Sequence, residues 1–97
     1  MAQIKNTTRG IDTTLEHTTR AWAVLPEVAD EISGWEPVER IDFIYDWAVE
    51  ETKLRRLRRQ AEDGLMDEAQ IGRFRALENL VEQNRPIIEK LKGRYNS

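Results

Sequence analysis

Apolar residues recur at spacings of three and four over most of the chain, a pattern that predicts amphipathic α-helices. The clearest run lies near the C-terminus, where the seam positions are spaced 3-4-3-4-3-4: Phe74, Leu77, Val81, Asn84, Ile88, Leu91 and Tyr95. A seam kept over three heptads is typical of a helix that packs in a coiled-coil manner. It predicts a helix over about residues 68–94.

A helix of similar length is predicted over about residues 36–63. Pro37 suits its first turn, and one face carries the apolar positions Phe43, Trp47, Leu54, Leu57 and Ala61. Ile41, Ile44 and Ala48 widen that face near its start, where a second helix could rest. Gly64 ends the helix, and Asp67 with Gln70 forms a capping-box pattern that starts the next one. The two helices therefore form a long antiparallel hairpin.

A first helix is predicted over about residues 13–33, because Thr13 and Glu16 also have capping-box spacing. Its apolar stripe consists of Leu15, Thr18, Trp22, Leu25, Ala29 and Ile32. Pro26 either kinks this helix or stops and restarts it. Residues 1–10 are polar and are predicted to form a flexible arm, while residues 11–97 form a single helical domain. The predicted fold is all-α and three-helix bundle-like, with the first helix packed near the Trp35 end of the hairpin.

Counting back from Gly64 places Trp47 opposite Asn84, the one polar residue of the seam. A hydrogen bond from the indole N–H would satisfy both groups, and the pair would set the register of the hairpin. The alternative is that Asn84 caps the first half of the third helix ahead of Pro86 and is partly solvated.

One short, kinked first helix would leave part of the hairpin uncovered. The predicted uncovered part is an apolar patch at the hairpin tip, formed by Leu57, Leu65, Met66, Ile71 and Phe74. Its predicted charged rim consists of Arg55, Arg56, Arg58, Arg59, Arg73 and Arg75. A second copy of the chain is the simplest cover, which favours a homodimer. The alternative is a monomer in which the first helix and the N-terminal arm cover the patch.

Charge is segregated along the hairpin, although the formal net charge is only −3. Residues 27–51 contain nine acidic residues and one basic residue, Arg40, whereas residues 53–59 contain five basic residues. A cluster of arginines can grip a phosphate backbone, so a nucleic-acid-associated or antitoxin-like regulator is the alternative function. Glu51, Glu62 and Asp63 stand four residues from arginines of the cluster, and ordinary intrahelical ion pairs would account for much of it.

The remaining chemistry of the sequence is sparse. The chain has no cysteine, and its one histidine, His17, has no accompanying nucleophile pattern. Glu39, Asp42, Asp46 and Glu50 share one side of a helix, with Glu82 and Glu89 near them across the counted register. A metal-dependent hydrolase with such a carboxylate cluster is the remote alternative. We expect no catalytic residue, no metal site and no cofactor.

Residues 57–80, centred on the sequence from Ala61 to Gln70, resemble the helix-glycine-turn-helix of short C-terminal oligomerisation (SHOCT) domains. Met66 and Asp67 stand where that family usually has Ile-Thr, and Phe74 comes late. The resemblance covers about a quarter of the chain and implies assembly. No apolar run approaches the roughly 20 residues that span a bilayer. The sequence predicts a cytoplasmic protein-protein interaction or assembly module, homodimeric or bound to another protein, with nucleic acid the less favoured partner.

Overall fold

The computed structural model describes the backbone of residues 2–96 and the side chains of residues 10–93. This part of the chain is helical and contains no strand. The helices are α1 (Ala2–Ala23), α2 (Leu25–Glu31), α3 (Pro37–Glu62) and α4 (Glu68–Asn96), with a 3-10 turn, Ile32–Gly34, before α3. The predicted all-α, three-helix bundle-like fold is confirmed, with α1 and α2 together in place of the predicted first helix. The bundle is elongated, at 49 × 22 × 19 Å.

The hairpin of α3 and α4 begins and ends at its predicted signals. Glu36 caps α3 through a capping box with Glu39, whose Oε1 accepts the Glu36 N–H at 3.3 Å. At the other end, Gly64 has a φ of 74°, and the Leu65 N–H donates to the Gln60 carbonyl at 3.0 Å. This is the Schellman arrangement, which needs a left-handed residue and so favours glycine.

A second capping box starts α4, as the spacing of Asp67 and Gln70 predicts. The Gln70 N–H donates to Asp67 Oδ1 at 2.8 Å, and the Asp67 N–H donates to Gln70 Oε1 at 2.9 Å. Two backbone donors of the first turn are thereby satisfied. The predicted seam of α4 is buried from Phe74 to Leu91 except at Asn84, which is half-buried. The side chain of Tyr95, the last predicted seam residue, lies outside the described residues.

The first helix differs most from its prediction, because it begins at Ala2 and not near Thr13. Ile11 is 1% exposed and Leu15 is fully buried, so the apolar stripe continues back through the predicted start of the helix. Burial of that stripe favours an unbroken helix over a cap at Thr13. Glu16 pairs instead with Arg20, at 3.1 Å. Most of the predicted flexible arm, residues 1–9, lies outside the described side chains.

Helix α1 runs parallel to α4 along its length and antiparallel to α3. Near the hairpin tip, Gln70 Nε2 donates to Asp12 Oδ1 at 2.9 Å, and towards the other end Asn84 Nδ2 donates to the Trp22 carbonyl at 2.8 Å. The predicted packing near the Trp35 end is therefore only part of the contact, because α1 also packs at the hairpin tip. Each α1 residue that packs on α4 removes apolar surface from water, and this burial favours a helix that extends over the tip.

The predicted hydrogen bond between Trp47 and Asn84 is also wrong. The Trp47 indole N–H is buried without a hydrogen-bond partner in the described part of the chain. Asn84 instead serves the Trp22 carbonyl, and Pro26 explains why. In a continuous helix that carbonyl would accept the N–H of residue 26, but proline has no N–H to donate. Asn84 therefore supplies the donor that Pro26 lacks and fastens α1 to α4.

The core is continuous from the tip to the Trp35 end. Buried apolar side chains from the three long helices, from α2 and the 3-10 turn, and from the loop before α4 line it: Ile11, Leu15, Trp22, Leu25, Ile32, Trp47, Leu54, Leu57, Met66, Phe74, Leu77, Val81, Ile88 and Leu91. Aromatic rings form the part of the core near Trp35. Trp22 meets Trp47 edge to face, with ring centroids 4.8 Å apart, and Phe43 stacks on Trp47 at 5.8 Å. The inner face of α3 is thus fully used in packing the monomer.

Candidate docking surface

The predicted apolar patch at the hairpin tip is mostly closed. Leu57 is fully buried, Phe74 is 5% exposed and Met66 is 9% exposed, while Ile71 is half-buried. Leu65 alone of the five predicted contact residues is well exposed, at 49%. The prediction that this patch faces solvent in the monomer is therefore wrong for most of its members.

Helix α1 closes the tip because it is longer than the sequence pattern indicates. Its Ile11 and Leu15 join the same core as Leu57 and Phe74. Asp12 holds α1 in place at the edge of the tip. Its Oδ1 accepts a hydrogen bond from Gln70 Nε2 and lies 3.3 Å from Arg73 Nη1. The alternative in which the first helix covers the tip is the one that the structure supports.

The six predicted rim arginines are all exposed, but they do not act alike. Arg58 pairs with Glu78 at 3.4 Å, Arg73 pairs with Asp12, and Arg55 donates to Thr52 Oγ1 at 3.1 Å. Arg56, Arg59 and Arg75 have no side-chain partner within residues 10–93. Arg58 and Arg73 therefore link two helices, Arg55 bonds only within α3, and the other three arginines have no ionic partner among the described side chains.

The intrahelical ion pairs predicted for the arginine cluster do not form. Glu51 faces α4 and pairs there with Arg85, at 3.3 Å, so it does not serve Arg55. Arg58 likewise turns to Glu78 of α4. An ion pair between two helices can replace an ion pair along one helix, because it also stabilises the packing of the two helices. As a result, Arg55, Arg56 and Arg59 lie on α3 with no acidic partner in the described part of the chain.

Among the described side chains, most of the exposed large apolar residues lie on the outward side of α3, where the sequence predicts no site. We call this apolar surface the outer stripe and define it as Val38, Ile41, Tyr45, Ala48 and Val49. Val38 is 59% exposed, Tyr45 73% and Val49 56%. These are three of the five large hydrophobic side chains that are exposed within residues 10–93. Helix α3 is therefore apolar on two opposite sides in its N-terminal half.

A signal for the outer stripe is present in the sequence. Tyr45 and Val49 each stand two residues from Trp47, which is about 200° around a helix. They therefore lie nearly opposite the core face. The sequence interpretation assigned Ile41 and Ala48 to a widened inner face and left the three most exposed members out. That these residues share one side of the helix becomes apparent only when positions 38, 41, 45 and 49 are taken as a second apolar stripe with spacings of three and four.

Opposite charges lie along one edge of the outer stripe. Asp42 and Asp46 stand beside its apolar residues, and Lys53 and Arg56 follow on the same side of the helix about two turns later. Asp42, Asp46 and Arg56 make no ion pair within the described side chains, while Lys53 Nζ is 3.2 Å from Glu50 Oε1. The edge thus offers carboxylates at one end and cations at the other.

The predicted carboxylate cluster does not form a metal centre in the structure. Within the described residues, no group of three or more histidine, cysteine, aspartate or glutamate side chains is arranged to hold a metal ion. Glu50, which was counted with that cluster, points inward and pairs with Lys53. Among the described helices, none combines the length and the apolar content needed to cross a membrane.

Comparisons with family models, with curated proteins and with solved structures gave no significant match. The likeness of residues 57–80 to SHOCT domains thus finds no support from a family model, and the tip that carries it is filled by α1. The geometry of the chain itself is what identifies the outer stripe as the candidate site.

Proposed function

We propose that this protein is a small helical assembly module that forms a homodimer through the outer stripe of α3. The observation that carries the proposal is the second apolar side of α3, whose Val38, Tyr45 and Val49 are each more than half exposed. Burying such side chains against a partner is favourable by about 25 cal/mol per Å² of apolar surface removed from water. The site has moved from the hairpin tip, but the class of function is the one the sequence favours.

The dimensions of the surface bear on the strength of the dimer. Helix α3 has 26 residues, so it is about 39 Å long at 1.5 Å per residue. A contact only about 10 Å wide along that length falls towards the small end of specific interfaces. We therefore expect a weak dimer that dissociates on dilution, with a Kd on the order of 100 µM.

Sedimentation equilibrium tests the proposal directly. The wild-type mass should rise from the monomer value of 11.4 kDa towards twice that value as concentration increases. Tyr45→Glu should remain monomeric, because it places a charge in the centre of the stripe. Leu65→Glu is the matched control, since Leu65 is also exposed but lies at the tip.

Two results would overturn the proposal. One is a wild-type mass that stays at 11.4 kDa at every concentration. The other is dissociation caused by Leu65→Glu and not by Tyr45→Glu, which would return the interface to the tip. Phe74→Glu is not a useful probe of assembly, because Phe74 is in the core and a charge there would unfold the monomer.

A contact with a nucleic-acid backbone is the one second candidate, favoured by three arginines that have no acidic partner among the described side chains, Arg55, Arg56 and Arg59. It predicts binding to a short DNA or RNA duplex at low salt that weakens steeply as salt rises, and that is lost when the three arginines are replaced by glutamine. Binding that survives the replacement, or no binding at low salt, rejects this candidate. It leaves the apolar part of the outer stripe without a use, which is why we place dimerisation first.

A further inference from the structure

We propose that the outer stripe docks onto the same stripe of a second copy with the two α3 helices antiparallel and a two-fold axis near Val49. The inference rests on the proposed dimerisation and adds the orientation and register of the two chains. It follows from the order of charges along α3, from the position of its apolar residues and from the rule that a two-fold interface is self-complementary.

The charges have the symmetry that such an axis requires. Asp42 and Arg56 each stand seven residues from Val49, on opposite sides of it along the chain. Fourteen residues return to within about 40° of the same direction around a helix, so both side chains are on the same edge of the stripe. An antiparallel copy centred on Val49 therefore places each Asp42 beside the partner's Arg56, and the contact occurs twice.

A second pair of charges gives the same centre. Asp46 and Lys53 are seven residues apart, with their midpoint next to Val49, and they differ by only about 20° around the helix. Asp42, Asp46 and Arg56 have no ionic partner in the described part of their own chain. Asp42 and Arg56 can therefore pair across an interface without breaking a contact inside the monomer, whereas Lys53 would add Asp46 to its existing contact with Glu50.

The apolar residues fit the same arrangement. Tyr45, Ala48 and Val49 from both copies meet within about two turns of the axis, and the small Ala48 side chain lets the helices approach. Charged residues lie further out on both sides, as in the polar rim of a typical interface. Thr52, whose Oγ1 already donates to the Ala48 carbonyl at 3.0 Å, adds no unsatisfied hydroxyl to the centre.

A parallel pair of α3 helices in register lacks these attractive contacts. Each Asp42 would lie about 21 Å along the helix axis from the partner's Arg56, since the two positions are fourteen residues apart. The same apolar residues would still meet. Charge order, and not apolar content, therefore selects the antiparallel dimer.

Cross-linking distinguishes the two orientations. Because the chain has no native cysteine, only the introduced cysteines can react. Val38→Cys and Gln60→Cys are prepared separately, mixed in equal amounts and treated with a short bis-maleimide. Residues 38 and 60 are each eleven residues from Val49, so only the antiparallel dimer brings them together. We expect cross-linked product in the mixture and little in either variant alone.

Charge exchange tests the register independently. Asp42→Arg should raise the dimer Kd about tenfold, because each of two symmetric attractive contacts becomes repulsive. Combining it with Arg56→Asp restores attraction and should return the Kd to within about threefold of wild type. Asp30→Arg makes the same charge change on an exposed residue of α2 and should leave the Kd unchanged.

The outcomes separate this inference from the proposed function. A wild-type dimer whose Val38→Cys variant cross-links to itself, or whose double charge variant is weaker than either single one, overturns the antiparallel register and leaves dimerisation standing. A wild-type chain that is monomeric throughout overturns both. Circular dichroism of each variant establishes that a lost dimer is not a lost fold.

Discussion

The hairpin tip and the outer face of α3 are both apolar, yet only the tip is covered within the chain. At the tip, Leu57 and Phe74 are buried in a core that Ile11 and Leu15 of α1 share. On the outer face of α3, Tyr45 and Val49 have no helix against them. An apolar pattern in the sequence predicts that a helix face will be buried. The lengths and directions of the neighbouring helices determine whether that face is buried within the chain or left for a partner.

The largest expected effect comes from a matched pair of substitutions at the tip. Leu57→Ala removes a fully buried side chain and should lower the free energy of unfolding by about 2–5 kcal/mol. Leu65→Ala, eight residues later and 49% exposed, should change it by less than about 0.5 kcal/mol. Urea denaturation of both variants measures the difference. Equal effects would mean that α1 does not close the tip.

Much of the fold followed from the sequence because its signals are local. The capping box of Asp67 and Gln70, the left-handed Gly64 and the seam of α4 each act within a few residues, and each was confirmed. The start of α1 was missed because Thr13 and Glu16 satisfy the same local rule. The stabilisation from burying Ile11 at the tip exceeds the stabilisation from a helix cap at Thr13. A contact between residues so far apart in sequence leaves no local pattern.

The candidate site was harder to predict than the fold. Its residues Tyr45 and Val49 share a helix with a strong core face, and the stronger pattern masks the weaker one. The arginines of the cluster were found, but the ion pair expected between Glu51 and Arg55 was not, since Glu51 pairs with Arg85 across the hairpin. The Asn84 contact depends on a donor that is missing at Pro26, which becomes visible only when α1 is known to lie beside α4.

The next largest effect concerns the bond that holds α1 on α4 and so keeps the tip closed. Asn84→Leu removes the donor to the Trp22 carbonyl and should cost about 1 kcal/mol of unfolding free energy. In a Pro26→Ala background, the new N–H of residue 26 can serve that carbonyl, so the same change should cost less. Denaturant unfolding of the four proteins gives the coupling. Equal costs in the two backgrounds would mean that Pro26 does not create the need for Asn84.

The smallest effect is expected on the outer face itself. Tyr45→Ser exchanges a side chain that is 73% exposed for one of similar helix propensity. The unfolding free energy of the monomer should therefore change by no more than about 0.5 kcal/mol when measured well below the dimer Kd. A loss comparable to that of Leu57→Ala would show that Tyr45 belongs to the core and that the two regions do not differ as described.

The central claim is that the outer face of α3 is the docking surface and the tip is not, and a dilution series of ¹H–¹⁵N NMR spectra tests it most directly. Between about 1 mM and 10 µM, a range that brackets a Kd on the order of 100 µM, amide shifts should change at Val38, Tyr45, Val49 and Arg56. The amides of Leu65, Met66 and Phe74 should stay in place. Shifts concentrated at the tip, or spectra that do not change with concentration, would contradict the account.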